Sequence, residues 1–265
     1  MPLAQLALTE LYYERAGQGA PLLFISGTAG DLRVKPNVFD GPFPKLFDLM
    51  AYDQRGLGRS AKPDIAYSMA DYADDAAALL EHVGWRAAKV IGVSFGGMVA
   101  QELVLRHPAM VDRLVLACTS PGGAGGASYP FHEIQHLKGE ERARHLISIS
   151  DTRLDAAWAT AHPDDYARLA AMVAADPYAG EPGREMGARR QLEARAGHDT
   201  WDRLEQIRCR VFIAAGRYDG IALPETQHKL ASRIPGASLR FFEGGHLFML
   251  QDRAALPAIA EFLNS

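Results

Sequence analysis

A serine hydroxyl is a weak nucleophile unless a base stands beside it. One serine here has a setting that could recruit one. Gly92-Val93-Ser94-Phe95-Gly96-Gly97 joins an apolar run, AAKVI, to a helix-like stretch stopped by Pro108. The pattern is G-x-S-x-G in the strand–turn–helix context that gives it meaning. Reversing a strand into a helix within one residue strains the serine backbone, and glycines two positions to either side leave room for the crowding. The helix N-terminus behind the serine supports developing negative charge. Nine histidines are available as base. His246 is singled out because the run SLRFF (238–242) leads into Glu243-Gly244-Gly245-His246, where two glycines let a loop turn back over a strand end. His82, His107, His145, His198 and His228 read as surface or satisfied core histidines. A carboxylate is then needed to fix the imidazole tautomer and stabilise the imidazolium. RVFIAAGRY runs directly into Asp219-Gly220, which makes Asp219 the first candidate, with Asp202 and Asp252 as weaker ones. Cys118-Thr119-Ser120, at the end of another strand-like run, offers no competing acid.

Acyl chemistry on Ser94 also needs two N–H groups aimed at an oxyanion. Phe95, next to the serine, supplies one, and the loop Ser26-Gly27-Thr28-Ala29-Gly30 supplies the other, with Thr28 as the expected donor. Two further patterns compete for attention. His132-Glu133-Ile134-Gln135-His136 spells H-E-x-x-H, which on a helix can hold zinc. Pro130 before it and Lys138-Gly139 after it leave barely two turns of helix, and no third ligand is evident, so no metal site is expected. Arg184, Arg189, Arg190 and Arg195 form a cluster that could bind an anion. The i,i+4 pairs Glu185/Arg189 and Arg189/Glu193 instead favour a solvated helix face.

The elements that must position these residues follow from the texture of the chain. Its 265 residues suit one large domain or a domain with an insertion. With 48% hydrophobic and 23% charged residues and a net charge of -4, it has the balance of a globular protein with a sizeable core. No concentrated basic face invites nucleic acid. The N-terminal stretch lacks a basic, then long apolar, leader pattern, and no window is apolar enough to span a bilayer, so no membrane partner and a cytoplasmic location are expected. Cys118 and Cys209 sit in apolar runs without zinc spacing and read as buried small side chains.

Short apolar runs alternate with amphipathic stretches, the rhythm of a mainly parallel sheet flanked by helices. Residues 6–13, followed by Ala16-Gly17-Gln18-Gly19, read as an opening hairpin. Strands are expected at 21–26, 46–52, 87–93, 113–118, 210–215 and 238–242, and helices at 71–83, 96–107, 224–233 and 252–263. At Pro121-Gly122-Gly123-Ala124-Gly125-Gly126 the rhythm breaks, and residues up to about 203 are helix-rich without a strong strand.

Together these residues resemble the α/β-hydrolase superfamily, in particular its capped esterase and lactonase-like members. Asp53-Gln54-Arg55-Gly56-Leu57-Gly58-Arg59-Ser60 is similar to the family's D-x-R-G-x-G-x-S turn, which is structural there. Ser26 stands where many members carry histidine, a departure that leaves the backbone donors in place. The loop SGTAGDLR is also similar to that of 3-oxoadipate enol-lactonases. The resemblance implies an eight-stranded, mostly parallel sheet with a helical cap inserted after the sixth strand. The core would comprise 1–120 and 204–265, and the cap 121–203. It implies a cofactor-independent serine hydrolase acting on a small, largely apolar ester or lactone, with Ser94 as nucleophile, His246 as base and Asp219 as acid. The cap would form a largely apolar pocket, to which Trp158, Tyr166 and Met172 could contribute. Carbon–carbon bond hydrolysis or perhydrolysis on the same triad, and a catalytically silent ligand-binding scaffold, are the alternatives. A homodimer is compatible with the sequence.

Overall fold

Continuous apolar runs with no alternation bury strands on both faces, and the computed structural model, which describes residues 2–265, arranges them accordingly. Strands β1 (Leu3–Gln5), β2 (Glu10–Ala16), β3 (Pro21–Ile25), β4 (Asp48–Tyr52), β5 (Ala88–Val93), β6 (Val111–Ala117), β7 (Arg210–Gly216) and β8 (Ser238–Phe242) form one sheet. Its order is β1-β2-β4-β3-β5-β6-β7-β8. The β1–β2 and β2–β4 pairs are antiparallel, and every other neighbouring pair is parallel. Leu22, Leu23, Val90, Ile91, Leu114, Val115 and Ile213 are fully buried along the central strands. This is the α/β-hydrolase fold, with helices on both faces of the sheet.

Nine α-helices are found among the described residues: α1 (Met69–His82), α2 (Phe95–Arg106), α3 (Gly139–Ser150), α4 (Ala156–Ala161), α5 (Pro163–Ala174), α6 (Arg184–Ala196), α7 (Pro224–Arg233), α8 (Phe248–Gln251) and α9 (Ala255–Asn264). The start of α1 is set by a reciprocal cap. Ser68 Oγ accepts from the Asp71 N–H at 3.1 Å, and the Asp71 carboxylate accepts from the Ser68 N–H at 2.8 Å. Helices α1, α2 and α7 pack on one face of the sheet through Tyr72, Leu79, Val99, Leu103 and Leu230. The opposite face is covered by α9, through Ile259 and Leu263, and by Phe43, Phe47 and Phe248.

Between β6 and β7 the chain carries α3 to α6 and no strand. Its two ends meet: the Thr200 N–H donates to the Pro121 carbonyl at 2.8 Å, and Gly122 bridges Asp199. Helices α4 and α5 bury no residue, whereas α3 buries Ala143 and Ile147, and α6 buries Gly187, Gln191, Ala194 and Arg195.

Two expected elements differ. The opening hairpin pairs 3–5 with 10–12, and its turn closes through the Leu6 N–H on the Thr9 carbonyl at 2.9 Å. The run 6–13 therefore straddles the turn, and Gly17–Ala20 leads away from β2, because β4 occupies the place beside it. The last helix, expected from about 252, begins at Ala255 as α9, and the short α8, which has no counterpart among the expected elements, precedes it. The carboxylate of Asp252 between them accepts from the Ala254 N–H and the Glu243 N–H, each at 2.8 Å. No helix among the described residues is long and apolar enough to cross a membrane.

Candidate active site

Ser94 closes β5 and caps α2 with φ 54° and ψ −115°, a backbone region that side chains other than glycine avoid. Its neighbours hold it there. The Ser94 N–H donates to the Ala117 carbonyl at 2.8 Å, and the Ser94 carbonyl accepts from the Thr119 hydroxyl at 2.7 Å. Gly96 is forced by close approach, since a Cβ there would lie 2.1 Å from the Ile25 carbonyl oxygen. The turn presses against β3, and any side chain at 96 would push the two apart.

The strand ends of β7 and β8 bring the other two candidates to this turn. His246 Nε2 lies 2.9 Å from Ser94 Oγ, and His246 Nδ1 lies 2.8 Å from Asp219 Oδ2. The other Asp219 oxygen, Oδ1, accepts from the Ile221 and Ala222 N–H groups at 2.8 and 2.9 Å. Asp219 is 1% exposed and Ser94 6%. With Asp219 Oδ2 accepting from Nδ1–H, the Nε2 lone pair faces the serine hydroxyl. Asp202 and Asp252 lie elsewhere: Asp202 is at the surface 3.8 Å from Arg233, and Asp252 divides α8 from α9. The Cys118 thiol is buried beside Asp219, and burial pushes its pKa well above the ordinary value.

The loop after β3 lies against the serine, with Gly27 close enough that a Cβ there would sit 3.5 Å from Ser94 Cβ. The Thr28 and Phe95 N–H groups have no acceptor within the described residues. Neighbouring Ala29, at φ 60°, gives its N–H to Gln191 Oε1 of α6 at 2.8 Å. The turn 53–60 braces the same loop from below. Asp53 accepts from the Leu32 N–H at 2.7 Å and the Arg59 N–H at 2.8 Å, and Gln54 Nε2 donates to the Ser26 carbonyl at 2.8 Å. Burial raises the Asp53 carboxyl to about 6 despite those two bonds. Arg55 forms a buried two-point pair with Asp75, both contacts at 2.6 Å.

A second support has no signature in the sequence. The carboxyl end of α3 grips both strand-end loops: the Gly220 N–H donates to the Ile149 carbonyl at 2.9 Å, and the His246 N–H to the Ser150 carbonyl at 2.6 Å. A Cβ on Gly245 would lie 2.1 Å from that Ser150 oxygen, so only glycine permits the approach. Asp151 follows at 2% exposure, accepting from Arg153 and from Gln251 Nε2 at 3.0 Å, while Gln251 Oε1 accepts from the Gly245 N–H at 2.8 Å. Gln191, Asp151 and Gln251 make their contacts across 100 residues or more, or inside loops, and no local spacing announces them.

A cavity of about 500 Å³ opens beside His246 and the loop after β3. Its walls include Phe24, Leu32, Val38, Val93, Met249 and Leu256, and the exposed side chains of Val34 and Leu250 line it too. The apolar pocket expected under residues 121–203 is placed differently: no residue of that segment lines this cavity. The reason is close packing. Gly187 of α6 sits directly on Gly56, where a Cβ would lie 1.9 Å from the Gly56 oxygen, and Gln191 closes onto Ala29. Trp158 stacks on His162 at 5.2 Å and Met172 is 68% exposed.

The H-E-x-x-H residues lie in a succession of turns rather than on a helix, and His136 Nδ1 pairs with the Glu133 carbonyl at 2.9 Å. Three members of the arginine cluster meet acids: Arg184 with Asp176 at 2.7 Å, Arg189 with Glu193 at 3.7 Å, and Arg190 with Asp64 at 3.0 Å. Arg195, expected on the same solvated face, is 7% exposed and turned inward, because it closes the last turn of α6 against the segment after β6.

Comparison with known proteins agrees with this architecture. Residues 20–252 match the model of the family described as alpha/beta hydrolase fold. A poly(3-hydroxyalkanoate) depolymerase from Ectopseudomonas oleovorans is 28% identical over 249 residues, covering 92% of this chain and 84% of that protein. A protein named as a carbamate hydrolase, RutD, from Caulobacter segnis is 31% identical over 215 residues, covering 77% and 76%. The crystal structure of the enol-lactonase from Burkholderia xenovorans LB400 superposes with a TM-score of 0.79 at 23% identity, covering all of both chains. On the family match and the shared architecture, the chain belongs to the α/β-hydrolase fold family, with hydrolases among its relatives.

Proposed function

We propose that this protein is a cofactor-independent serine hydrolase that cleaves a carboxylic ester or lactone of a small, largely apolar substrate. The observation that carries the reading is the hydrogen-bonded line from Ser94 Oγ through His246 to buried Asp219, at 2.9 and 2.8 Å. His246 takes the hydroxyl proton as Ser94 attacks the carbonyl, and Asp219 stabilises the imidazolium that results. The free N–H groups of Thr28 and Phe95 receive the oxyanion. The imidazolium then protonates the leaving alcohol, and an acyl group remains on Ser94 Oγ. Water, deprotonated by His246, releases the acid and restores the hydroxyl. The apolar cavity beside His246 supports a substrate held mainly by shape and burial. Kinship with a protein named poly(3-hydroxyalkanoate) depolymerase supports ester chemistry. Residues 121–203 would act as a cap whose helix α6 closes over the loop after β3.

Turnover of p-nitrophenyl acetate tests the reading. Ser94→Ala should lower kcat by at least about 10³-fold with an unchanged circular-dichroism spectrum, and Asp219→Asn should lower it by about 10³–10⁴-fold. Equal rates in Ser94→Ala and the parent would remove the serine from the mechanism, and no turnover of any ester by the parent would leave a ligand-binding scaffold.

A further inference from the structure

One cavity takes no part in the catalytic reading. It measures about 90 Å³ and lies between the carboxyl end of α6 and the segment after β6, with Ser120, Ser128, Phe131, Arg195 and His198 on its walls. No residue of the Ser94–His246–Asp219 line borders it. Arg195 is the unusual group. Its Nη2 donates to the Ser128 hydroxyl, its guanidinium lies 4.3 Å over the Phe131 ring, and its Nη1 is buried without an acceptor. Unlike Arg184, Arg189 and Arg190, it has no carboxylate within ion-pair distance among the described residues. A buried guanidinium without counter-charge is costly, and one that persists asks for an anion. Burial alone draws its pKa down to about 10, so it stays charged at neutral pH.

A second donor lies on the same walls. Ser120 Oγ is buried and makes no hydrogen bond. His198 is 7% exposed, its Nε2 pairs with the Ser120 carbonyl at 3.1 Å, and Nδ1 is left without a partner. Nε2 therefore carries the proton, and Nδ1 is a bare lone pair. Burial lowers this imidazole to about 4, so the ring is neutral at pH 7 and adds no positive charge.

We infer that this cavity is a carboxylate-binding site, in which Arg195 Nη1 and the Ser120 hydroxyl donate to one carboxylate group. A single guanidinium balances a monoanion, whereas a phosphate dianion would leave buried negative charge in excess, and so carboxylates are preferred. The site is independent of the proposed hydrolysis and can be tested without turnover.

The test is thermal unfolding and titration calorimetry of the full chain at pH 7.5 and constant ionic strength, with sodium chloride replaced stepwise by formate, acetate, butyrate or phosphate. Acetate should raise Tm saturably and phosphate should not. Arg195→Met should abolish the response and leave the unliganded Tm equal or higher, because an apolar chain replaces an uncompensated charge. Ser120→Ala, which breaks no bond in the unliganded protein, should weaken acetate about tenfold. Affinity that rises from acetate to butyrate assigns the site to the acid end of a longer ligand, and affinity that falls assigns it to a free small acid. No saturable response to any carboxylate, an equal response in Arg195→Met, or phosphate matching acetate would overturn the inference. Should Arg195→Met fail to fold, an undiminished acetate response in Ser120→Ala would overturn it just as firmly.

Discussion

Ser94 holds a conformation that costs about 1–3 kcal/mol by itself, and that cost leaves a trace in composition. Glycines at 92, 96 and 97 are the footprint of the strain, and they make the residue stand out in the amino-acid sequence alone. Replacing it separates geometry from chemistry. Ser94→Gly relieves the positive φ and should unfold at a free energy about 1–2 kcal/mol above Ser94→Ala in urea titration, while both lack esterase activity. Asp219 and His246 are legible for a related reason: each lies in the loop just past a strand of the sheet, three residues beyond β7 and four beyond β8. Gln191 is not. Its one task is to accept the Ala29 N–H from 162 residues away, and helical spacing around 191 carries no sign of it. Arg195 misleads in the opposite direction, since its neighbours in sequence form the solvated ion pairs that its own side chain avoids.

At the scale of elements, the strands are readable because burial on both faces demands unbroken apolar runs, and α7 and β8 follow their sequence patterns residue for residue. The first hairpin is deceptive because Leu6 and Leu8 look like strand residues, although Leu8 is 77% exposed in the turn. Periodicity also marks α3 to α6, but not where they dock, because docking is decided by contacts such as Gly187 on Gly56 and Ser150 on His246. These contacts bear directly on rate. Gly245→Ala puts a methyl into the Ser150 carbonyl and should cut kcat by about 10²-fold or more, with KM changed far less, because a misplacement of about 1 Å is enough. Stopped-flow turnover of p-nitrophenyl acetate separates the two constants. An unchanged kcat would show that α3 does not position His246.

For the molecule as a whole, two buried titratable groups set opposing slopes of stability against pH. His198 falls from its ordinary value near 6.5 to about 4 on folding, because burial penalises the imidazolium. Its contribution is complete above pH 6.5 and is lost as pH falls toward 4, to a limit of about 3 kcal/mol. Asp53 is raised from 3.8 to about 6, so its contribution is complete at low pH and is lost as pH rises through 6. Between pH 4 and 6 the two partly cancel. Subtraction isolates the first, because Asp53 is common to both proteins: the stability of the parent minus that of His198→Gln should grow by about 3 kcal/mol from pH 4 to pH 6.5 and then level off. Urea midpoints across that range measure the difference, and a gap independent of pH would contradict it.

The grip of the last carbonyls of α3 on residues 220 and 246 also limits how this chain can be recombined with its kin. A chimaera that exchanges all of 121–203 discards part of the frame that holds the triad residues in line. Crossovers set near 153 and 183 would swap α4 and α5, which bury nothing, and keep α3 and α6 native. Variation should therefore accumulate in the middle of the helical segment, while its two shoulders drift with the core.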